Sequence, residues 1–146
     1  MKVKDVLATK GSKVCFIGSE DTIREAVKTL ITEKIGALLV YDADKDIVGI
    51  LTERDIMRGF HEHGKKLDET LVNKVMTRRV IIGTPEDDLE YIMNIMTHNR
   101  IRHVPIVENE QLQGIISIGD VVKAQLHDSR AQIKYLQDFL HHGHHT

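Results

Sequence analysis

The sequence predicts a mixed α/β fold made of two similar halves, and three observations lead to this prediction. The heptad GILTERD at residues 49–55 returns in altered form as GIISIGD at residues 114–120. The stretch TIREAVKTLITEKI at 22–35 matches DLEYIMNIMTHNRI at 88–101. Short apolar runs and amphipathic stretches alternate in the same order around both pairs, which indicates strands and helices. The repeat is longer than the roughly 20–50 residues of solenoid units, so we interpret the chain as a two-lobed domain.

The first half is predicted to run strand, helix, strand, strand, helix. Its opening apolar run at 14–17 suits a buried strand. A helix is predicted over 22–35, because its apolar residues recur at steps of three and four. Strands at 37–41 and 47–51 are separated by a polar turn, and a second helix is expected to start at Thr52. The stripe of the first helix consists of Ile23, Ala26, Val27, Leu30 and Ile31.

The second half is predicted to repeat this order. Its first helix carries Leu89, Ile92, Met93 and Met96 on one stripe. We expect that helix to begin at Thr84-Pro85-Glu86-Asp87, with a hydroxyl cap, a proline in the first helical position and acids in the first turn. The remaining elements are strands at 80–83, 103–107 and 112–116, and a second helix that starts at Ser117.

One half of about 60 residues buries too little surface to be stable alone, so we expect two βαββα repeats to pack together with pseudo-two-fold symmetry. The polar stretch HEHGKKLDETL at 61–71 is interpreted as the linker between them. A further helix is predicted after residue 127, with Ile133, Leu136 and Leu140 on one side. The expected divisions are repeat 1 at 1–67, repeat 2 at 68–128, and a C-terminal helix with a His-rich tail at 129–146.

Composition argues against several classes of protein. A net charge of -2 gives no general attraction to nucleic acid, and 4% aromatic residues make a base-stacking surface improbable. No apolar run approaches the roughly 20 residues of a membrane helix. The start of the chain lacks an apolar signal-peptide core, and the single Cys15 forms no internal disulfide. We therefore expect a cytoplasmic protein.

Both copies of this order end in Gly, two aliphatic residues, a hydroxyl residue, two variable residues and Asp, and together they resemble a tandem pair of CBS domains. The resemblance covers about residues 3–127, and TERDIMR and SIGDVVK resemble stretches of stand-alone bacterial members. It implies a regulatory module that binds adenine nucleotides or related adenosine cofactors in clefts between its repeats. It also implies association into a homodimer.

Two pairs of residues, Thr52 with Asp55 and Ser117 with Asp120, have two candidate roles. A hydroxyl at the N-cap with an acid three residues later is close to a capping box. A carboxylate has more acceptor positions than one cap uses, so the same acid could also accept both hydroxyls of a ribose. Spacing leaves both roles open. The resemblance implies that each Asp holds the ribose and that each hydroxyl residue helps to orient the nucleotide.

We expect the phosphate-binding residues to lie near the helix starts, because the backbone amides of a helix N-terminus favour anions. Arg54 and Arg58 are four residues apart on the helix that follows Thr52. They could face the same anion, or they could belong to a solvated surface. Lys123 is the counterpart of Arg58 in the second copy, whereas Gly119 replaces Arg54.

The segment between the first helix and the second strand-forming run differs between the copies. Arg102 and His103 stand there in the second copy, and the resemblance implies that they line a cleft and contact phosphate. Gly36 and Ala37 stand there in the first copy and leave room for a base or a close backbone approach. The two sites should therefore differ in charge and affinity. Aliphatic side chains would hold the adenine, with core packing as the alternative; the candidates are Ile17, Leu51, Ile82 and Ile116.

The chain shows no pattern typical of an enzyme or a metal site. The histidines at 61–63 and 141–145 are not accompanied by cysteines or carboxylates with zinc-ligand spacing. No glycine-rich phosphate loop and no nucleophile elbow is present. The leading hypothesis is a sensor of an adenosine nucleotide, AMP first, with Asp55 and Asp120 on the ribose and an unknown partner protein that reads the change. The alternatives are an NAD(P)- or ATP-binding sensor, or a ligand-free protein-interaction module.

Overall fold

The computed structural model describes residues 1–11 and 13–143 and confirms the mixed helix-and-strand class. The described residues form two compact units. The central unit comprises residues 13–81, and the terminal unit combines 1–11 with 82–143. In chain order the elements are α1 (Val3–Lys10), β1 (Phe16–Gly18), α2 (Ile23–Glu33), β2 (Ala37–Tyr41), β3 (Ile47–Thr52), α3 (Glu53–His63), α4 (Leu89–Asn99), β4 (His103–Glu108), β5 (Gln111–Ser117) and α5 (Ile118–Gly143).

The central unit is a three-stranded sheet in the order β1–β2–β3 with two helices. β1 is parallel to β2, and β2 is antiparallel to β3, so that Leu39 lies opposite Phe16 on one side and Ile50 on the other. Helix α2 begins after Thr22, whose hydroxyl accepts a hydrogen bond from the Glu25 amide, a common N-cap arrangement. In its predicted stripe Ile23, Ala26 and Leu30 are buried, Val27 is half-buried and Ile31 is exposed. The core consists of Ile17, Ile23, Ala26, Leu30, Leu38, Val40, Leu51, Leu67, Val72 and Met76.

Residues 61–71, interpreted from sequence as a polar linker, are folded as part of the central unit. Helix α3 continues to His63, and 3₁₀ turns follow at Gly64–Glu69 and Val72–Lys74. Leu67 and Val72 are buried in the core of the unit. The stretch is mostly polar, so its sequence gave little sign that Leu67 is buried. Burial of Leu67 and of the following Val72 holds the segment against the rest of the unit.

The terminal unit has a two-stranded antiparallel sheet, β4–β5, and its predicted first strand at 80–83 is reduced to one bridge. Gly83 pairs in parallel with Ile106, donating to the Pro105 carbonyl and accepting from the Val107 amide at 2.9 Å in both bonds. A methyl group at Gly83 would lie 2.8 Å from the Ile92 side chain. The core consists of Val3, Val6, Leu89, Ile92, Met96, Val104, Ile106, Ile116 and Val121.

The turn before α4 differs from the predicted helix start. Residues 84–87 form a closed turn, in which the Asp87 carboxylate accepts from the Thr84 amide at 2.8 Å, and α4 begins at Leu89. The central unit has the same turn, since Asp21 accepts from the Gly18 amide at 2.8 Å. Proline suits the second position of a turn as well as the first position of a helix, because both require the same φ. The sequence pattern at Pro85 was therefore compatible with both.

The compact units depart from the repeat boundaries expected at 1–67 and 68–128. Helix α1 buries Val3 and Val6 in the core of the second repeat. In the central unit, Thr77 pairs with Ile50 of β3 through two backbone hydrogen bonds of 2.8 and 2.9 Å. Each segment that precedes a repeat in sequence therefore packs on the other repeat.

Helix α5 is continuous from Ile118 to Gly143, although sequence patterns suggested a second helix after residue 127. The stretch contains no proline, and its glycines, Gly119 and Gly143, lie at its ends, so no residue interrupts it. The last three residues of the His-rich tail predicted at 129–146 lie outside the described part of the chain. No helix among the described residues is long and apolar enough to cross a membrane.

Candidate functional site

The turn from β5 into α5 carries the second motif. The Asp120 carboxylate accepts a hydrogen bond from the Ser117 amide at 2.8 Å, and the Ser117 hydroxyl accepts one from the Asp120 amide at 3.1 Å. These reciprocal bonds are the capping box expected from the spacing. They fix the carboxylate at the first turn of α5, where the helix dipole also favours a negative charge.

Lys10 is the main partner of Asp120 outside the cap. Its ammonium group donates to Asp120 Oδ2 and to the Ile115 carbonyl, both at 2.6 Å. The side chains of Lys10 and Asp120 keep 31% and 20% of their surface exposed, so the pair is partly accessible to water. The bonds from the Lys10 ammonium and the Ser117 amide both end on Oδ2 of Asp120.

The pKa of Asp120 reflects opposing effects. Burial alone would raise it, because it disfavours the charged carboxylate. The hydrogen bond from Lys10, the bonds from Ser117 and the charge of Lys10 outweigh burial, so the pKa of Asp120 lies below the ordinary value. The group is therefore a carboxylate at neutral pH.

Arg102 and His103 lie beside this turn. His103 is opposite Ser117 in the β4–β5 register, and the Ile118 amide donates to the Arg102 carbonyl at 2.8 Å. The backbone of Arg102 is thus bonded to the first residue of α5, two positions before Asp120. The structure brings together four residues predicted from sequence, Arg102, His103, Ser117 and Asp120, and adds Lys10 to them.

The turn from β3 into α3 carries the first motif in the same backbone frame. Ala37 lies opposite Thr52 in the β2–β3 register, and the Glu53 amide donates to the Gly36 carbonyl at 3.1 Å. The Asp55 carboxylate accepts from the Thr52 amide at 2.9 Å and from the Thr52 hydroxyl at 3.1 Å, both on Oδ2. The capping box of the second motif is therefore repeated here.

Asp55 differs from Asp120 in being almost completely buried, with 1% of its surface exposed. Its Oδ1 accepts from the Thr77 hydroxyl at 2.8 Å and from the Arg58 guanidinium at 2.7 Å. Both oxygens of Asp55 are consequently engaged within the central unit. The capping role is thus present at both motifs, but Asp120 is partly exposed whereas Asp55 is buried.

The remaining predicted residues have different environments. Arg54, Arg58 and Lys123 are on exposed helix surface, and Arg54 has an interaction partner. Ile17, Leu51 and Ile116 are buried in the two cores, so packing accounts for these three adenine candidates as they stand. Ile82 is 51% exposed.

Sequence reasoning missed Lys10 and Thr77. Both follow the similar segments VKDVL and VNKVM, which precede the two repeats. Each contributes a polar group to the motif Asp of the other repeat in sequence. The similarity of the two segments was visible in the sequence, but their exchange between repeats was not.

Within 1–11 and 13–143, no group of three His, Cys, Asp or Glu side chains lies close enough together to hold a metal ion.

Comparison with known proteins adds the family. A profile described as CBS domain matches residues 3–62 and again 72–127. A mitochondrial CBS domain-containing protein from Arabidopsis thaliana is 34% identical over 97% of this chain and 72% of its own length.

Two solved structures are similar along most of the chain. A CBS-domain-containing protein from Agrobacterium tumefaciens shares 44% identity with a TM-score of 0.83, covering 85% of this chain and 92% of its own. A structure described as a putative signal-transduction protein with CBS domains, from Burkholderia ambifaria, shares 36% identity with a TM-score of 0.83, covering 88% and 96%.

Proposed function

Because the chain belongs to the CBS-domain family, whose stand-alone members are generally regulatory rather than catalytic, we propose that it senses an adenosine nucleotide, AMP first. The observation that carries the proposal is the half-buried carboxylate of Asp120. It is partly exposed at the start of α5, it is bonded to Lys10, and it lies near the backbone of Arg102 and His103. A nucleotide needs both an acceptor for its ribose and cations for its phosphate, and this turn offers the two together.

The ribose is assigned to Asp120. Its Oδ1 can accept a ribose hydroxyl without disturbing the cap, because the Ser117 bond occupies Oδ2. A hydrogen bond to a charged acceptor is worth roughly twice a neutral one, which makes this contact a major part of the affinity. Ser117 orients the carboxylate, and the buried Ile116 behind it belongs to the same strand end.

The phosphate is assigned to the basic groups of the turn. Arg102 and His103 reach it from the start of β4, and Lys123 stands one helical turn beyond Asp120. The backbone amides that open α5 add a positive partial charge at the same place. Lys10 is already held by Asp120, so an arriving phosphate would compete with the carboxylate for its ammonium group. We expect Lys10 to move from Oδ2 of the carboxylate towards the phosphate when the nucleotide binds, which couples α1 to the presence of ligand.

The first motif is assigned a weaker site. Gly36, Ala37, Thr52 and the surface residues Arg54 and Arg58 are available there in the same backbone frame. A ribose could bind Asp55 only after the Thr77 hydroxyl or the Arg58 guanidinium left its Oδ1. That exchange lowers the net gain from binding, so one strong site per chain is expected.

The basic groups near Asp120 are also compatible with other phosphorylated ligands. The cations favour phosphorylated ligands, so NAD(P), ADP and ATP are alternatives to AMP, whereas the cationic S-adenosylmethionine is disfavoured. A ligand-free protein-interaction module is the alternative from another class. The proposal also includes a homodimer in the cytoplasm, no catalytic activity, and a regulated partner protein.

Calorimetric titration with AMP, NADH, ATP and S-adenosylmethionine tests the proposal, using protein first shown to carry no nucleotide. We expect AMP to bind with about one site per chain, and Asp120→Asn to weaken it by tenfold or more, since about 1.5–3 kcal/mol of charged hydrogen bonding is lost. Asp128→Asn is the matched control, because Asp128 is an exposed acid on the same helix.

Two outcomes would contradict the proposal. Unchanged AMP affinity in Asp120→Asn would reject the ribose assignment. Absence of heat with every nucleotide would favour the interaction module.

A further inference from the structure

The outer half of α5 lies outside the core of the terminal unit. Val121 is buried in the terminal core and Ala124 packs partly against it. Every side chain described from Gln125 to His141 is exposed. The stretch 126–143 is roughly 27 Å long at the rise of an α-helix. Most of the stability of a helix in a protein comes from packing of its apolar face, so a partner along that face would stabilise this stretch.

One face of this helix carries apolar residues with heptad spacing. The steps between them alternate four, three, four, three and four residues, which is the pattern of the a and d positions of a coiled coil. The apolar members are each 50–55% exposed, and the one polar member is a serine. We name this face the α5 seam; it consists of Val122, Leu126, Ser129, Ile133, Leu136 and Leu140.

The α5 seam points away from the core of its own unit. Successive residues of an α-helix are about 100° apart, so Val122 faces well to the side of the buried Val121. The rest of the seam follows Val122 along the helix. A second helix could therefore lie along the seam while Val121 stays in its core.

We propose that the α5 seam pairs with the same seam of a second copy of this chain, as a parallel two-stranded coiled coil. The seam spans almost three heptads, and its spacing is complementary to a helix with the same spacing. One edge of the seam carries Lys123 and Arg130, and the other carries Gln125 and Gln132. In a parallel pair opposite edges meet, so Arg130 of one copy faces a glutamine of the other and no like charges are opposed.

The charge of α5 favours a second copy of the helix over a lipid surface as the partner. Helices that lie on membranes are typically rich in Lys and Arg. From Ile118 to Gly143 the acids and bases balance, with Asp120, Asp128 and Asp138 against Lys123, Arg130 and Lys134.

Analytical ultracentrifugation of the full chain over a range of concentrations tests the pairing. We expect a reversible dimer in the wild type, and at least a tenfold weaker association in Leu136→Glu, because the charge enters the seam. Tyr135→Glu is the matched control, since Tyr135 is 71% exposed on the neighbouring position outside the seam. Helical circular dichroism should fall on dilution in the wild type and in Tyr135→Glu.

Disulfide trapping tests the parallel register. Ser129→Cys should form an intermolecular disulfide, because the two Ser129 positions face each other in a parallel pair, whereas Asp128→Cys should not. A wild type that stays monomeric overturns the proposal, and so does equal association of Leu136→Glu and Tyr135→Glu. Binding of the monomer to anionic vesicles would assign the seam to a membrane instead.

Discussion

At the scale of single residues, the two motif aspartates have the same spacing and different tasks. Asp120 shares a partly exposed turn with a lysine from the chain start, and its pKa is lowered. Asp55 is buried and accepts four hydrogen bonds from Thr52, Thr77 and Arg58. Spacing alone could not separate these tasks, because the difference lies in residues distant in sequence.

Asp55→Asn should destabilise the central unit by about 2–3 kcal/mol. The substitution removes the negative charge that pairs with Arg58. It also replaces one acceptor oxygen of Asp55 by an NH₂ group, which can only donate. Urea unfolding measures the loss. Asp68→Asn is the control, because Asp68 makes an exposed ion pair with Arg24 and should cost less than about 1 kcal/mol. Equal effects of the two changes would show that Asp55 is not a structural centre.

Lys10 should control the ionisation of Asp120. A lowered folded-state pKa means that Asp120 contributes stability at pH values above its unfolded pKa, about 3.9. This contribution is lost as the pH falls through the lower folded pKa. NMR titration of the Asp120 carboxyl carbon should give a midpoint below the ordinary value of 3.8 in the wild type. The midpoint should be higher in Lys10→Met, because burial is then opposed by Ser117 alone; an unchanged midpoint would contradict the pairing.

At the scale of elements, the motif glycine of β3 is explained by a neighbouring backbone. A methyl group at Gly49 would lie 2.7 Å from the Thr77 carbonyl oxygen and 2.8 Å from the Met76 sulfur. The segment that carries Thr77 can therefore pack closely on β3 at residue 49 only because Gly49 has no side chain. The same segment delivers the Thr77 hydroxyl to Asp55, so the glycine and the aspartate of the motif serve one contact.

Gly49→Ala should destabilise the chain by about 1–3 kcal/mol, the usual cost of overpacking. Gly119→Ala is the matched control, because a methyl group there meets only the Ser117 hydroxyl at 3.6 Å. Alanine is also preferred to glycine in a helix by up to about 1 kcal/mol, so that variant should be neutral or stabilised. Chemical denaturation of both variants checks the sign. Tolerance of alanine at Gly49 would show that the Thr77 segment is loosely held.

At the scale of the whole molecule, periodicity predicted most elements because each has a one-sided or buried apolar pattern. Helix α2 and the four strands β2 to β5 lie close to where those patterns placed them, whereas α4 begins at Leu89, after the turn at 84–87. The failures have physical causes in particular residues. Leu67 alone was too weak a signal to mark 61–71 as packed, and Pro85 suits both a turn and a helix. Lys10 and Thr77 reach their partners through the exchange of segments, which leaves no local signal.

Because of that exchange, the two units have all of their residues available at different times during synthesis. The central unit is one uninterrupted stretch, and all of its residues have been added once residue 81 is in place. The terminal unit is split by that stretch, so α1 is made first but its packing partners α4 and β5 come last. Val3 and Val6 of α1 can therefore be buried in the terminal core only after the residues of α4 and β5 have been added. A cut between 67 and 68 would remove Val72 from the core of the first repeat, whereas a chain limited to 13–81 retains the whole core of the central unit.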